Sequence, residues 1–252
     1  AKEAEMGYIL FLTKHHDGFC LWDTKTTDRK VTNAPLGKDV LTELRKSCDK
    51  YGIKLALYFS EGDWTWEGAV DGKAYKGGNN PEAKKAQLKE LLTNYGAIEY
   101  IWFDYAAGTG GLSHEETTAW CKQFQPDCFI GYNHGDQSTA DIRLGEMGKP
   151  GPLEDVKAAG PYMKDGKQNW KIAEFTYPIL LPPPKWFYLL PTHDRSVHSV
   201  KKLFDDYLGA VKYGNIFSID VGPDYDGKLR EIDVKTLQEV GGLIREHRTA
   251  QQ

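Results

Sequence analysis

The stretch DVLTELRKSCDKYGIKLALYFS, residues 39–60, contains a helix pattern and a strand pattern in immediate succession. Residues 39–50 are amphipathic and predict a helix, and Gly52 follows where a helix end favours a left-handed residue. Residues 54–60 form a nearly continuous apolar run, as expected for a strand that is covered on both faces. The two halves together predict the repeating unit of a parallel α/β fold.

The same alternation continues along the chain. Further strand-length apolar runs occupy residues 8–13, 98–104, 128–132, 170–175 and 215–221. Helical patterns lie between them at residues 81–95, 114–124, 197–212 and 233–248. Because no glycine-rich phosphate motif accompanies these units, the pattern favours an α/β fold of the (β/α) TIM-like barrel type over a nucleotide-binding sheet. We expect one catalytic barrel domain, residues 1–252.

The barrel is expected to be incomplete. About six to seven strands are visible in the sequence, whereas a full barrel has eight. The missing units either lie outside the chain or are hidden in residues 136–169, whose weak periodicity predicts a long functional loop. Because an incomplete barrel exposes a sheet edge, we hypothesise a homo-oligomer in which a second copy covers that edge.

Composition argues against several kinds of partner. The 36 acidic and 32 basic residues give a formal net charge of -4, so the basic surface that nucleic-acid binding requires is not expected. No apolar run approaches the roughly 20 residues of a membrane-spanning helix, and we expect no membrane partner. The compartment stays open. The sequence contains four widely spaced cysteines, Cys20, Cys48, Cys121 and Cys128. We expect them to be reduced residues that pack in the core, rather than to form disulfides or a zinc site.

Polar residues that follow the predicted strands are the first candidates for a site, since reactive groups in barrels lie at the carboxyl ends of strands. His15 and His16 follow the first strand. Adjacent residues of an extended segment point to opposite sides, so we do not expect both histidines to bind one ion easily. A simple polar turn is the alternative. Tyr58 and Trp64 belong to the second strand and its loop, where carboxylates alternate with tryptophans, a weak indication of sugar binding.

Acidic residues follow later apolar runs. Asp104 comes after three large apolar residues, and a buried carboxylate without a partner is costly. This position favours a catalytic role over capping of the glycine-rich turn that follows. Glu146 and Glu174 lie in later segments, and Trp186 belongs to an aromatic group beyond them. Two carboxylates that face aromatic rings are what glycoside hydrolysis needs, one to attack and one to donate a proton.

A family resemblance covers nearly the whole chain. Residues 12–44, LTKHHDGFCLWDTKTTDRKVTNAPLGKDVLTEL, resemble the Lys-His-His-Asp-Gly-Phe signature and following helix of glycoside hydrolase family 29, the α-L-fucosidases. Similar segments are YGIKLALYFSEGDW, ELLTNYGAIEYIWFD, KWFY and NIFSIDVGPDYDGKL, and residues 136–169 match least. The resemblance implies a retaining barrel enzyme without metal or organic cofactor, whose substrate is a fucosylated glycan or oligosaccharide.

The resemblance also implies roles for individual residues. The nucleophile of the family, in its Trp-Phe-Asp motif, falls on Asp104. The histidines that bind fucose hydroxyls fall on His15 and His16. Trp22 and Trp186 are expected to lie against the sugar. Tyr58 and Trp64, already indicated by their place after the second strand, complete the expected binding residues.

The acid/base catalyst is less defined, because its position differs between branches of the family. Glu146 in RLGEMG resembles the glutamate of the branch that prefers α-1,3/4-linked branched substrates. Glu174 in IAEF resembles that of the broader-specificity branch, and the order of the later segments favours Glu146. Tyr105 replaces the glycine that usually follows the nucleophile. We expect a short form, since neither the family's N-terminal section nor its C-terminal β-sandwich has a counterpart in this sequence.

Two alternatives to this enzyme stay open. One is a non-catalytic fucose- or carbohydrate-binding barrel derived from it, which would bind fucose without hydrolysing an aryl fucoside. The other is a metal-dependent barrel hydrolase that uses His15, His16 and Asp104. The second is disfavoured because the remaining histidines lie in poor contexts for metal ligation.

Overall fold

The computed structural model describes residues 1–69, 76–105, 108–134, 138–146, 160–164, 167–182, 186–187 and 193–251. The chain divides into a first compact unit, Tyr8–Ile142, and a second unit that combines Ala1–Gly7 with Arg143–Gln252. Parallel strands alternate with helices in both units, which confirms the predicted α/β class. The assignment of residues 1–252 to a single catalytic domain stays a prediction.

The first unit contains four parallel strands joined by helices. Its strands are β1 (Tyr8–Lys14), β2 (Lys54–Ser60), β3 (Tyr100–Asp104) and β4 (Phe129–Tyr132), and its helices are α1 (Val40–Tyr51), α2 (Pro81–Asn94) and α3 (His114–Lys122). β1 pairs with β2, β2 with β3 and β3 with β4, all in parallel. The carboxyl ends of the four strands therefore meet at one edge, where a barrel carries its functional residues.

Local sequence signals set the helix ends in this unit. Asp39 accepts a hydrogen bond from a backbone N–H in the first turn of α1, and Gly52 ends that helix at φ 66°. Asn80 caps α2 in the same way as Asp39 caps α1. Ser113 and Glu116 form a reciprocal capping box at the start of α3. These signals place each helix between two strands, with a short connection from the end of each helix to the next strand.

The core of the first unit lies between its strands and helices. The strand residues in it are apolar on both faces, as the continuous runs in the sequence predict. Members of this core include Leu41, Leu55, Leu57, Phe59, Leu88, Leu91, Ile101, Phe103, Ile130 and Tyr132. All four cysteines are buried and free, which confirms their predicted packing role.

A charged network is buried beneath the loops that follow β2 and β3. The Lys84 ammonium lies 2.8 Å from Glu61 Oε1 and donates to two further oxygen atoms at 2.7 and 2.8 Å. The second carboxylate oxygen of Glu61 lies 3.0 Å from His114 Nε2. The Glu61 backbone N–H donates to the Asp104 carbonyl at 2.7 Å. The network therefore fixes the loop after β2 against the end of β3.

The second unit contains a parallel pair, a hairpin and two helices. Its elements are β6 (Pro161–Lys164), β7 (Lys167–Trp170), β8 (Ile172–Pro178), β9 (Ile216–Asp220), α4 (Val200–Val211) and α5 (Glu231–Ala250), and the short β5 (Ile142–Arg143) falls where the two units divide the sequence. β8 and β9 are parallel, with Pro178 opposite Asp220. β6 and β7 pair in antiparallel fashion.

The prediction of one long loop over residues 136–169 is therefore wrong at the positions where β5, β6 and β7 form. The sequence of β7, KQNW, gives no apolar alternation because that strand is largely exposed. Residues 147–159 lie outside the described residues.

The core of the second unit lies between the β8–β9 pair and the two helices. Its buried members are Phe175, Tyr177, Ile179, Leu203, Val240 and Ile244. The N-terminal segment is tied to α5, since Arg245 and Arg248 both form ion pairs with Glu5. Among the described residues, no helix has the length and apolar character needed to cross a membrane.

Replacing Lys84 by methionine should lower the free energy of unfolding by about 3–5 kcal/mol, because Glu61 would keep a buried charge without its lysine partner. Urea unfolding followed by tryptophan fluorescence measures this change. Lys89→Met, on the exposed face of α2, is the matched control and should change stability by less than about 0.5 kcal/mol. Equal midpoints for the two variants would contradict a structural role of the ion pair.

Candidate active site

The turn after β1 brings two histidines together. The pairing register with β2 shifts between Leu12 and Lys14, which leaves Thr13 as an extra residue and redirects the chain. The strand ends at Lys14, and the ring centroids of His15 and His16 are only 4.0 Å apart. The expectation that these side chains point to opposite sides is wrong. It assumed that the extended backbone continues through His15 and His16, whereas the strand ends at Lys14.

A buried ion pair holds this turn in place. Lys14 Nζ lies 3.1 Å from Asp63 Oδ2, and its ammonium also sits 4.0 Å from the ring centroid of Trp66. Burial lowers the pKa of Lys14, and the Asp63 carboxylate opposes that effect. The Trp64 backbone N–H donates to the His16 carbonyl at 2.8 Å. Asp63 therefore serves the structure of the turn, and the sugar-binding role that its alternation with tryptophans suggested does not apply to it.

Asp104 ends β3 and is surrounded by hydrogen-bonding groups. Tyr58 Oη donates to Asp104 Oδ2 at 2.5 Å, and Asn133 Nδ2 lies 3.2 Å from Oδ1. His16 Nε2 is 3.5 Å from Oδ2. The Asp104 side chain is 9% exposed, so its carboxylate is largely withdrawn from water but still reaches the surface.

The histidines are neutral at neutral pH. Burial, reinforced by the neighbouring His15, lowers the pKa of His16 to about 4. Burial also lowers the pKa of His15. The Ser60 hydroxyl donates to the Gly62 carbonyl at 2.6 Å, so it accepts from His16 Nδ1 at 2.7 Å. This pattern puts the proton of neutral His16 on Nδ1 and leaves Nε2 as an acceptor for a ligand hydroxyl.

Aromatic rings border the histidines. The Tyr58 ring is stacked with His15 at a centroid distance of 5.7 Å and with Trp102 at 5.3 Å. Trp64 is 39% exposed, and its ring centroid lies 5.6 Å from that of His16. The structure thus brings Tyr58 and Trp64 together with Asp104 and both histidines, as the sequence predicts for one site.

The other two expected binding residues are Trp22, in the first unit, and Trp186, in the second unit. Trp22 is fully buried in the core of the first unit, and its indole N–H donates to Glu90 at 2.9 Å. Its ring therefore has no exposed face for a sugar. Trp186 is half-buried in the second unit, where it borders a cavity together with Asp220. Of the KWFY segment, only Trp186 and Phe187 belong to the described residues.

The two glutamates occupy different environments in the second unit. Glu174 is fully buried within β8 and accepts a hydrogen bond from the Ser218 hydroxyl at 2.6 Å. It lies four residues before Pro178, the last residue of β8, which corresponds to roughly 13 Å along a strand. Glu146 is half-buried and follows β5 outside regular structure.

The cluster in the first unit has two chemical capacities. The candidate ligand atoms of His15, His16 and Asp104 lie within 4.8 Å of one another, which is close enough for a shared divalent ion. The same neutral imidazoles and carboxylate can instead bind the hydroxyl groups of a neutral sugar.

Two residues of the cluster were missed in the sequence. Asn133 follows β4 directly, just as Asp104 ends β3, so the rule that polar residues after strands form the site could have found it. Ser60 is the last residue of β2 and orients His16. No pattern in the sequence distinguishes this serine from an ordinary strand terminus.

Comparison with known proteins decides the family. The model of the α-L-fucosidase family matches residues 1–248. The chain belongs to this family. α-L-Fucosidase 1 of Arabidopsis thaliana is 30% identical over 261 residues, an alignment that covers 95% of this chain and 49% of the relative. The chain spans about half the length of the curated relatives it matches.

Solved structures of the family have the same fold. α-L-Fucosidase isoenzyme 1 from Paenibacillus thiaminolyticus matches with a TM-score of 0.73 and 27% identity, covering 97% of this chain and 61% of that one. A glycoside hydrolase 29 family member from an unknown rumen bacterium matches with a TM-score of 0.75 and 28% identity, covering 96% and 47%. These matches confirm the predicted (β/α) TIM-like barrel class for this member of the α-L-fucosidase family.

The lowered pKa of His16 predicts a pH-dependent stability. Between pH 6.5 and about 4 the unfolded chain binds the proton more readily than the folded chain, so the free energy of unfolding should fall as the pH decreases through this window. Replacing His16 by asparagine should reduce that slope. Urea unfolding at several pH values measures it, with His247→Asn on α5 as the control. Identical slopes in the wild type and the His16 variant would disprove the prediction.

Proposed function

We propose that this chain is the catalytic region of a retaining α-L-fucosidase that hydrolyses terminal α-L-fucosyl residues from glycans. The observation that carries the proposal is Asp104, a nearly buried carboxylate at the carboxyl end of β3 that contacts neutral hydrogen-bond donors. Family membership supports the substrate class, because the relatives are α-L-fucosidases. The comparisons do not favour the alternative of a non-catalytic binding barrel.

Asp104 is the proposed nucleophile. One carboxylate oxygen attacks the anomeric carbon while the glycosidic bond breaks, which gives a covalent fucosyl-enzyme. The Tyr58 hydroxyl and the Asn133 amide hold the carboxylate in one orientation before the attack. Water then cleaves the fucosyl-enzyme and releases fucose with retained configuration.

His15 and His16 are proposed to bind sugar hydroxyls. Because burial keeps both imidazoles neutral at neutral pH, they do not neutralise the Asp104 carboxylate that must attack. His16 Nε2 is available to accept a hydrogen bond from a hydroxyl, since Ser60 occupies Nδ1. The exposed ring of Trp64 adds an apolar surface next to these polar groups.

Glu146 is proposed as the acid/base catalyst in preference to Glu174. A general acid must reach the leaving oxygen and then a water molecule, so it needs contact with solvent. Glu146 is half-buried, whereas Glu174 is fully buried within β8 and hydrogen-bonded to Ser218.

Trp186 is proposed to lie against the sugar, while buried Trp22 supports the site through the core. The expected homo-oligomer stays a prediction.

Asp104→Asn should reduce kcat/KM on 4-nitrophenyl α-L-fucoside by about ten-thousand-fold or more, because the amide cannot form the intermediate. Release of 4-nitrophenol measures the rate, and Asp28→Asn, an exposed aspartate, should leave it unchanged. The wild-type rate should also persist in EDTA. Full activity of Asp104→Asn would end the proposal, and loss of the wild-type rate in EDTA with recovery in zinc would favour the metal-dependent alternative.

Azide should identify the acid/base residue. Glu146→Ala should lose about 100-fold or more on substrates with poor leaving groups and much less on 4-nitrophenyl α-L-fucoside, because only the former need protonation. Azide should restore turnover and give a fucosyl azide, detectable by mass spectrometry. Glu174→Ala is the comparison variant and should lose thermal stability without azide rescue. Rescue of Glu174→Ala alone would reverse the assignment.

A further inference from the structure

Asp220 is a half-buried acid that the proposed mechanism does not use. It is the last residue of β9 and lies opposite Pro178, the last residue of β8, so it occupies the carboxyl end of this parallel pair. Its Oδ2 atom is buried and has no hydrogen-bond partner among the described residues. Its backbone carbonyl accepts a hydrogen bond from the Ile179 N–H at 2.9 Å.

An unpartnered carboxyl group in this position is costly. Native proteins hydrogen-bond the large majority of their buried polar atoms, and the exceptions call for an explanation. Burial raises the pKa of Asp220 to about 7, so much of the group is protonated at neutral pH. A protonated carboxyl group both donates and accepts hydrogen bonds, which matches a hydroxyl group in both respects.

Asp220 lies in a cavity with an apolar wall. Ile179, Leu180 and Trp186 line the same cavity, which encloses only about 10 Å³, the space for one water-sized group. A hydroxyl group has about the size of a water molecule, so the cavity can take one hydroxyl group of a ligand rather than a whole sugar.

The other charged groups of the cavity are paired with each other. Arg230 Nε donates to Asp233 Oδ2 at 2.7 Å, and the two residues form a buried ion pair. Further N–H groups of Arg230 donate to the backbone carbonyls of His193 and Ser196. Because this pair is neutral as a whole, Arg230 and Asp233 together give the described lining no net charge to attract an ionic ligand. Its chemistry suits an uncharged, hydroxyl-bearing molecule.

We propose that Asp220 binds a hydroxyl group of the sugar substrate at the carboxyl end of β9, with the ring of Trp186 as the apolar wall of the same pocket. This inference rests on the proposed function, since it takes the ligand to be a fucosyl sugar. It makes Asp220 a specificity-determining residue that recognises the substrate without taking part in bond cleavage.

Substitutions of Asp220 that separate shape from hydrogen bonding test this inference. Asp220→Leu keeps the size of the side chain and removes its polar atoms, whereas Asp220→Asn keeps a donor and an acceptor. Asp226→Leu, an exposed aspartate on the turn after β9, is the matched control. Calorimetric titration with L-fucose gives Kd, hydrolysis of 4-nitrophenyl α-L-fucoside gives KM and kcat, and thermal unfolding gives Tm.

Asp220→Leu should raise both Kd and KM by about ten-fold, the effect of one lost hydrogen bond, with a smaller change in kcat. Its Tm should equal or exceed that of the wild type, because a carboxyl group with one buried, unpartnered oxygen atom is removed. Asp220→Asn should stay within about three-fold of the wild type, and Asp226→Leu should match it. If Asp220→Leu loses its cooperative thermal transition, Asp220→Ala takes its place.

The outcomes separate this inference from the proposed function. Wild-type binding of L-fucose without hydrolysis would disprove the proposed catalysis. The affinities of the Asp220 variants for L-fucose would still show whether Asp220 binds the sugar. Unchanged Kd and KM in Asp220→Leu would overturn the role of Asp220 even if the wild type is an active fucosidase. No binding and no hydrolysis by the wild type would overturn both.

Discussion

The buried ion pair between Lys14 and Asp63 joins the end of β1 to the loop after β2, and the geometry of the candidate site depends on it. Gly18 packs directly against this pair at φ +76°, and a Cβ atom there would lie 2.5 Å from Asp63 Oδ1. The chain is therefore fixed on both sides of His15 and His16. Since a buried ion pair adds little net stability compared with apolar packing, we infer that its main effect is to select one conformation of this turn.

The burial that fixes the turn also determines the charges within it. Desolvation keeps His15 and His16 neutral, so the groups next to Asp104 are dipoles rather than cations. Tyr58 and Asn133 orient the Asp104 carboxylate by hydrogen bonds that do not cancel its charge. This combination suits attack on a neutral sugar, because the nucleophile is positioned without being neutralised by a salt bridge.

The sequence predicted these features unequally. Strands β1 to β3 were predicted to within two residues because their apolar runs are continuous, and the place of Asp104 followed from the rule for strand ends. The close contact between the rings of His15 and His16 could not be predicted, since it depends on a shift of register in the pairing of β1 with β2. The β6–β7 hairpin was missed because polar, exposed strands have no periodic apolar signal.

Buried and half-buried acids near the strand ends differ in a property that only the structure reveals. Glu61 and Asp63 each pair with a buried lysine, so their charge is balanced within the fold. Asp104 contacts neutral donors, and one oxygen of Asp220 has no partner among the described residues. All four acids end or follow an apolar run, which is why the sequence pattern alone cannot sort them. A lysine partner balances the charge of an acid within the fold, whereas an acid at a strand end without such a partner keeps hydrogen-bonding capacity for a ligand.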